Sequence, residues 1–128
     1  MYKQPIKTPR APAAIGPYSQ GVKAGGFIFV SGQIPLDPTS GEVVEGDVAH
    51  QADRVMRNIR AILDDSGSTM EDIVKTTIYL ADMNDFAAVN EVYSRYFSSE
   101  APARATIQVA RLPKDVIVEI EATAWVGE

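Results

Sequence analysis

The sequence predicts an α+β fold in which two helices cover one face of a six-stranded mixed sheet, in the order β-β-β-α-β-α-β-β. Short segments in which apolar and polar residues alternate predict the strands, and turn residues separate these segments. Two longer segments repeat apolar residues at spacings of three and four, which indicates amphipathic helices. The length of 128 residues suits one domain, over residues 1–128.

The first three strands come from the N-terminal part of the chain. Residues 6–8 predict a short strand, and the loop A-P-A-A-I-G-P-Y-S-Q follows at 11–20. Residues 21–24 and 27–31 predict a hairpin with its turn at Gly25-Gly26. The second strand of this hairpin contains F-I-F-V, which is apolar on both faces and therefore indicates a strand buried on both sides. Because two helices cover only one face, we expect another copy of the chain to cover the other.

The first helix is predicted to begin at Asp47, after a loop at 37–46, and to end at Gly67. Aspartate is a favoured N-cap residue, and glycine commonly follows a helix C-terminus. His50 lies in the first turn, where we interpret it as a solvated or capping residue. The apolar residues of this helix form one stripe: Val48, Ala52, Val55, Ile59 and Leu63.

The second helix is predicted to follow a strand at 72–81 and to begin at Asp82 or Asn84. Pro102 excludes a helix just before the last two strands. The apolar stripe of the second helix contains Phe86, Val89, Tyr93 and Tyr96/Phe97. Because its aromatic residues share one helical face, we interpret them as core residues rather than a stacking platform for nucleic acid.

Composition excludes several classes of site. The absence of cysteine excludes disulfides, thiolate nucleophiles and cysteine-ligated zinc, and a single histidine gives weak support to a catalytic triad or a metal centre. We therefore expect no metal site. The net charge of −5 argues against a nucleic-acid partner. No secretory signal or membrane-length apolar run is visible, so we expect a cytoplasmic protein with no membrane partner.

The stretch R-A-T-I-Q-V-A-R-L-P-K-D-V-I-V-E-I-E at 104–121 is the most informative part of the chain. It predicts two strands joined by a tight L-P-K-D turn, with Arg104 and Thr106 on one face. Glu119 and Glu121 occupy the polar face of the return strand, so matched apolar faces would place the arginine beside both carboxylates. Such a pair can hold a small carboxylate substrate and move a proton on it. An exposed cross-strand ion pair worth about 0.2–1 kcal/mol explains the same pattern, and on pattern alone it is the commoner case.

Four segments of the chain resemble the RidA/YjgF family of small imine deaminases. They are A-I-G-P-Y-S-Q-G at 14–21, F-V-S-G-Q-I-P at 29–35, D-F-A-A-V-N-E-V-Y at 85–93, and the stretch at 104–121. The resemblance implies a chorismate-mutase-like fold, a homotrimer, and active sites in the clefts between subunits. It also implies hydrolysis of reactive 2-imino or 2-enamino acids, released by PLP-dependent dehydratases, to 2-oxo acids and ammonia without a cofactor.

The resemblance also assigns roles to individual residues. Arg104 matches the ligand of the substrate carboxylate, and Glu119 matches the residue that activates water. The further residues implied to bind substrate are Tyr18, Ser31, Gly32, Asn90 and Thr106. A structural hydrogen bond explains Asn90 equally well, since a buried amide needs partners in either case.

The chain departs from many family members at Thr106, where they have cysteine. Threonine keeps a hydroxyl but lacks a thiol, so we expect hydrolysis to persist and regulation through a thiol to be absent. Two alternatives to an enzyme remain: a module that only binds a small ligand, and a chaperone-like or translation-inhibiting relative.

Overall fold

The computed structural model describes residues 2–127 and contains one six-stranded mixed sheet with two α-helices on one of its faces. The strands lie in the order β1-β2-β3-β6-β4-β5. Their bounds are β1 Gln4–Ile6, β2 Gly21–Ala24, β3 Phe27–Gln33, β4 Ile73–Leu80, β5 Ala103–Gln108 and β6 Val118–Trp125. The helices are α1 Val48–Asp65 and α2 Phe86–Ser94. The predicted fold class and element order are confirmed, although the first strand begins two residues earlier than expected.

Helix α1 has capping residues at both ends and one apolar face that packs on the sheet. The side chain of Asp47 accepts a hydrogen bond from the backbone N–H of His50 at 2.9 Å, as an N-cap should. Beyond the helix, Gly67 adopts φ of 83°, a conformation that glycine reaches without strain. The predicted stripe faces the sheet: Ala52, Val55, Ile59 and Leu63 are buried, and Val48 is partly buried against the same core.

A buried amide on α1 fixes the chain just after β3. Asn58 is fully buried, and its Nδ2 donates hydrogen bonds to the carbonyls of Ile34 and Leu36. Its Oδ1 accepts from Nε of Arg54 at 3.1 Å. Because a buried amide without partners costs about 1–3 kcal/mol, these bonds hold the segment after β3 against the helix.

Helix α2 follows a short 3-10 turn, Met83–Asp85, in which the side chain of Asp82 accepts a hydrogen bond from the N–H of Asn84. Val89, Val92 and Tyr93 of α2 are buried, and the ring centroids of Tyr93 and Phe97 lie 4.8 Å apart. Tyr93 is therefore part of the core as expected, Tyr96 and Phe97 are partly buried against it, and Phe86 is exposed.

The predicted hairpin between the last two strands is wrong. β5 pairs with β4, in parallel, and β6 lies on the other side of β4 as its antiparallel neighbour. Nine residues separate β5 from β6, and they include a 3-10 turn at Pro113–Asp115. A tight hairpin needs a much shorter loop. The burial of the two strands explains their positions, since β6 supplies four buried residues and suits a central place, whereas β5 is mostly exposed and forms an edge.

The sheet face opposite the helices carries exposed aromatic side chains. Phe29 is 49% exposed, Trp125 is 42% exposed, and both lie close to Phe27. Ile28 and Val30 point the other way into the core and are buried. In a single chain β3 is therefore packed on one side and open on the other, and the covering of its second side stays a prediction.

Candidate active site

Arg104 lies on the helix-covered face of the sheet, where α2 holds its guanidinium. It stands across from Thr76 in the β4–β5 pair, and Thr76 is buried beneath α2. The guanidinium carbon lies 5.4 Å from the ring centre of Phe86 and 5.1 Å from that of Tyr93. Nη1 donates to Oδ1 of Asn90 at 2.7 Å. Phe86, Asn90 and Tyr93 are spaced four and three residues apart, so one face of α2 forms the support.

The guanidinium of Arg104 keeps hydrogen-bonding capacity to spare. Asn90 uses one of its five N–H groups, and within residues 2–127 no carboxylate forms an ion pair with it. The nearby hydroxyl of Thr76 is bonded to the phenol of Tyr93 at 2.7 Å and does not compete. An exposed arginine that is held in place without an acidic partner is suited to bind an external carboxylate.

Thr106 follows on the same side of β5, in register with Ile78. Its Oγ1 is buried and has no hydrogen-bond partner among the described residues. Arg104, Asn90 and Thr106 form what we call the arginine cluster. The hydrogen bond of Asn90 goes to Arg104 on β5, the residue expected to bind substrate, and not to a neighbouring loop.

Glu119 lies on the open face of the sheet, in a half-buried position. It stands directly across from Tyr79 in the β4–β6 pair, with Glu121 two residues further along its own strand. Burial raises the pKa of the Glu119 carboxyl above the ordinary 4.5, and repulsion from Glu121 raises it further. A carboxyl with a raised pKa is a stronger base when ionised, which suits proton transfer near neutral pH.

Tyr79 was not among the predicted site residues, although the alternation of β4 and β6 brings it beside Glu119. Burial raises the pKa of its phenol, and the carboxylates of Glu121 and Glu119 add to this effect. The phenol therefore stays protonated and can donate a hydrogen bond. The strand pattern V-K-T-T-I-Y-L contained this residue, but only the pairing of β4 with β6 shows which group it faces.

Ser31 and Gly32 lie in an irregular part of β3 beside Glu119. The hydroxyl of Ser31 donates to the carbonyl of Ser19 at 2.5 Å, and its N–H donates to the carbonyl of Gln20 at 2.9 Å. These bonds attach the loop that carries Tyr18 to the end of β3. The backbone of Gly32 packs against the side chain of Glu119.

Tyr18 is 54% exposed, and its hydroxyl accepts a long hydrogen bond of 3.4 Å from the N–H of Ile15. Its ring lines a cleft of about 820 Å³ between the loop and the first strand. Glu119, Gly32 and Ser31 form what we call the glutamate cluster, which brings together three of the predicted residues from β3 and β6. None of these three residues lines the cleft of Tyr18, and the bonds of Ser31 join the loop that carries Tyr18 to the cluster.

The expectation that Arg104 and Glu119 share a face of one hairpin is wrong. In the strand pairings, Arg104 is opposite Thr76 and Glu119 is opposite Tyr79. Thr76 and Tyr79 are an odd number of residues apart on β4, so the side chains of Arg104 and Glu119 point to opposite faces of the sheet. β4 also separates their strands, which places the two backbone positions about 14 Å apart. One chain therefore presents two separate clusters rather than one assembled site.

Among residues 2–127 there is no group of three or more His, Asp or Glu residues that could hold a metal ion. No helix in this part of the chain has the length and apolar character needed to cross a bilayer. His50 is exposed and lies at the start of α1, far in sequence from both clusters.

Comparisons with known proteins match nearly the whole chain. A family model described as Endoribonuclease L-PSP matches residues 8–126, which include every residue of both clusters. A RutC family protein of Pyrococcus abyssi is 56% identical over 125 residues, covering 98% of each chain. The 2-iminobutanoate/2-iminopropanoate deaminase of Mus musculus is 52% identical over 122 residues, covering 95% of this chain and 90% of the relative. The crystal structure of Escherichia coli TdcF with bound serine has a TM-score of 0.91 and 49% identity, covering 95% and 98%.

Proposed function

The chain belongs to the Endoribonuclease L-PSP family, also called RidA/YjgF, and we propose that it hydrolyses reactive 2-imino and 2-enamino acids to 2-oxo acids and ammonia. The observation that carries the proposal is the guanidinium of Arg104, which α2 holds in place and which has no carboxylate partner among residues 2–127. A relative more than 50% identical is named as a deaminase of two such imino acids. The solved structure of another relative contains serine, a small molecule with a carboxylate next to the carbon that bears nitrogen.

Arg104 binds the substrate carboxylate in this mechanism. Its planar fork can donate two parallel hydrogen bonds, which fix both the position of the carboxylate and the orientation of the adjacent C=N carbon. The rings of Phe86 and Tyr93 and the amide of Asn90 restrict the movement of the guanidinium before substrate arrives. Preorganisation of this kind lowers the entropic cost of reaching a reactive geometry.

Glu119 moves the proton. The carboxylate accepts a proton from water as the water oxygen bonds to the imine carbon, and it then delivers that proton to the nitrogen. The resulting carbinolamine then gives its hydroxyl proton to Glu119, which passes it to the nitrogen, so that the C–N bond breaks, ammonia leaves and the C=O bond of the 2-oxo acid forms. The raised pKa of Glu119 favours both steps, because the group must take up a proton and release it again.

The proposal includes a homotrimer in which the arginine cluster of one subunit and the glutamate cluster of its neighbour complete each site. Two features support this arrangement. The clusters point to opposite faces of the sheet in one chain, so a single chain does not bring them together. The open face that carries Glu119 also exposes Phe29 and Trp125, and contiguous exposed aromatic side chains commonly mark an interface.

The further parts of the proposal stay predictions from the sequence. They are a single domain over residues 1–128, a cytoplasmic location, and action without a metal, an organic cofactor, a nucleic acid or a membrane. The acidic net charge of −5 supports the lack of a nucleic-acid partner. Highly purified protein that cleaved RNA, and lost this activity on Arg104→Ala, would contradict that part.

A coupled assay tests the function. A threonine dehydratase generates the imine in situ, and release of the 2-oxo acid is followed with and without the protein. We expect faster release with the wild-type protein and none of this acceleration with Glu119→Gln. If release is not accelerated but a stable 2-oxo acid still binds in an Arg104-dependent manner, the protein is a ligand-binding module. If neither occurs, the small-molecule function is refuted.

A further inference from the structure

Gly32 lies in a β-bulge that brings the backbone of β3 close to Glu119. Val30 pairs with Ala122 and Gln33 pairs with Ile120, so β3 has one more residue than β6 between these two pairs. Ser31 and Gly32 are the two residues in this interval, and together they stand opposite Glu121 alone. A bulge bends its strand locally and redirects side chains, which is why bulges recur beside functional sites.

The space next to Gly32 is occupied by one side chain. A Cβ built at this position would overlap Oε2 of Glu119, and it would lie 2.9 Å from Cδ and 3.3 Å from Cγ of the same residue. No other residue is among its three nearest atoms. Real Cβ atoms essentially never approach another heavy atom to less than 3.0 Å, so any side chain here must displace the carboxyl group.

Backbone conformation does not require glycine at this position. Gly32 is absent from the glycines of the described chain with positive φ, such as Gly16 and Gly67. Alanine can therefore adopt the local backbone without left-handed strain. The missing Cβ matters because it leaves space for the carboxyl group of Glu119. A side chain at position 32 would displace this carboxyl group, which is the far end of a flexible side chain and can move at little cost to the fold.

We propose that Gly32 is a positioning residue that acts through Glu119, because the absence of its Cβ forms the recess in which the carboxyl group of Glu119 is held. The catalytic consequence rests on the proposed function, whereas the location of the carboxyl group does not. The role differs from the substrate binding that the family resemblance implies for Gly32.

Displacement from this recess moves the carboxyl group toward solvent. The charged and titratable groups that face it are Glu121 on its own strand and Tyr79 on β4, and the bulge of β3 presents none. Burial is the largest cause of the raised pKa of Glu119, so greater hydration in Gly32→Ala should lower that pKa. Repulsion from Glu121 should also weaken as the two carboxyl groups separate.

A double-mutant cycle tests the catalytic part. Gly32→Ala should lower kcat on the order of 10²-fold with a smaller effect on KM, as expected when a reacting group is misplaced by about 1 Å. The acidic limb of the pH–rate profile should move to lower pH. In a Glu119→Gln background, Gly32→Ala should cause little further loss, because the group that it displaces is already inactive. A full additional loss in that background would show that Gly32 acts independently of Glu119 and would overturn the proposal.

Two measurements remain informative whatever the activity. A carbon-13 NMR titration should give a lower pKa for Glu119 in Gly32→Ala than in the wild type. Gly32→Ala should also lower Tm less in a Glu119→Ala background, where the clash is gone. An unchanged pKa refutes the positioning role, as does equal destabilisation or failure to fold in both backgrounds. If the wild type shows no deaminase activity and the titration still shifts, the proposed function fails while the positioning role stands.

Discussion

Mixing two inactive variants tests whether each site is built from two subunits. Arg104→Ala removes the carboxylate ligand, and Glu119→Gln removes the proton acceptor while it retains the shape of the side chain. Each variant alone should be nearly inactive. No chain in the mixture carries both residues, so activity can return only where an intact arginine cluster and an intact glutamate cluster come from different chains.

The size of the recovery follows from the geometry of the two clusters. In a closed ring of identical subunits, each site joins the arginine cluster of one chain to the glutamate cluster of the next. With equal amounts and random assembly, each half is intact with a probability of about one half, so about a quarter of the sites should be complete. Recovery should fall symmetrically when either variant is in excess.

The assay is the coupled release of 2-oxo acid after the two variants are unfolded and refolded together. Variants refolded separately and then combined just before measurement form the control, because their subunits have had no opportunity to exchange. Activity near a quarter of the wild-type value in the co-refolded sample supports the composite site. If the co-refolded sample stays as inactive as the control while native mass spectrometry with one isotope-labelled variant shows mixed oligomers, both residues act within one chain and the reasoning from sheet faces is wrong.

Four further predictions follow from the same geometry. Arg104→Ala should weaken binding of a stable 2-oxo acid at least about tenfold in calorimetry, and Arg104→Lys should restore little, because an ammonium lacks the planar fork. Glu119→Gln should lower turnover on the order of 10²–10⁴-fold with near-normal 2-oxo-acid affinity, whereas Glu121→Gln should lower turnover far less. If Glu121→Gln lowered turnover more than Glu119→Gln, the catalytic role would belong to Glu121. Because the pKa of Glu119 is raised and its ionised form accepts the proton, kcat/KM of the wild type should begin to fall on acidification at a pH above 4.5, the ordinary pKa of glutamate. A pH profile of kcat/KM that stays flat through this range would contradict the role of Glu119 as the proton acceptor. Phe29→Asp should shift the trimer toward smaller species in light scattering, whereas the control Tyr2→Asp, at an exposed position outside the strands, should not.

Local patterns in the sequence were sufficient for the elements and their buried faces. The caps of α1 and its apolar stripe are set by residues close in sequence, so Asp47, Gly67 and Val55 could be interpreted without knowledge of the sheet. The same holds for β3, in which Ile28 and Phe29 point to opposite faces whatever their neighbours are. Such features depend on helical and strand periodicity alone.

Strand partners could not be obtained in this way. Alternation shows which residues of β5 share a face, but it does not show that α2 carries the chain to the far side of β4. One signal was available, since the segment with Arg104 has few apolar residues and suits an edge, whereas Val118 and Ile120 suit a centre. The bulge at Gly32 and the position of Tyr79 beside Glu119 depend on register between distant strands, which local sequence does not encode.

The central place of β6 affects how the molecule can fold. β3 and β4 are not neighbours, and they are joined through β6, the last of the six strands in the chain. A nascent chain can form the β2–β3 hairpin and the β4–α2–β5 unit, but these two parts share no strand pairing until residues 118–125 have left the ribosome. Each part exposes an unpaired strand until then, and such edges favour association between chains. Synthesis of the last strand should therefore be the step that completes the sheet and ends this vulnerable period.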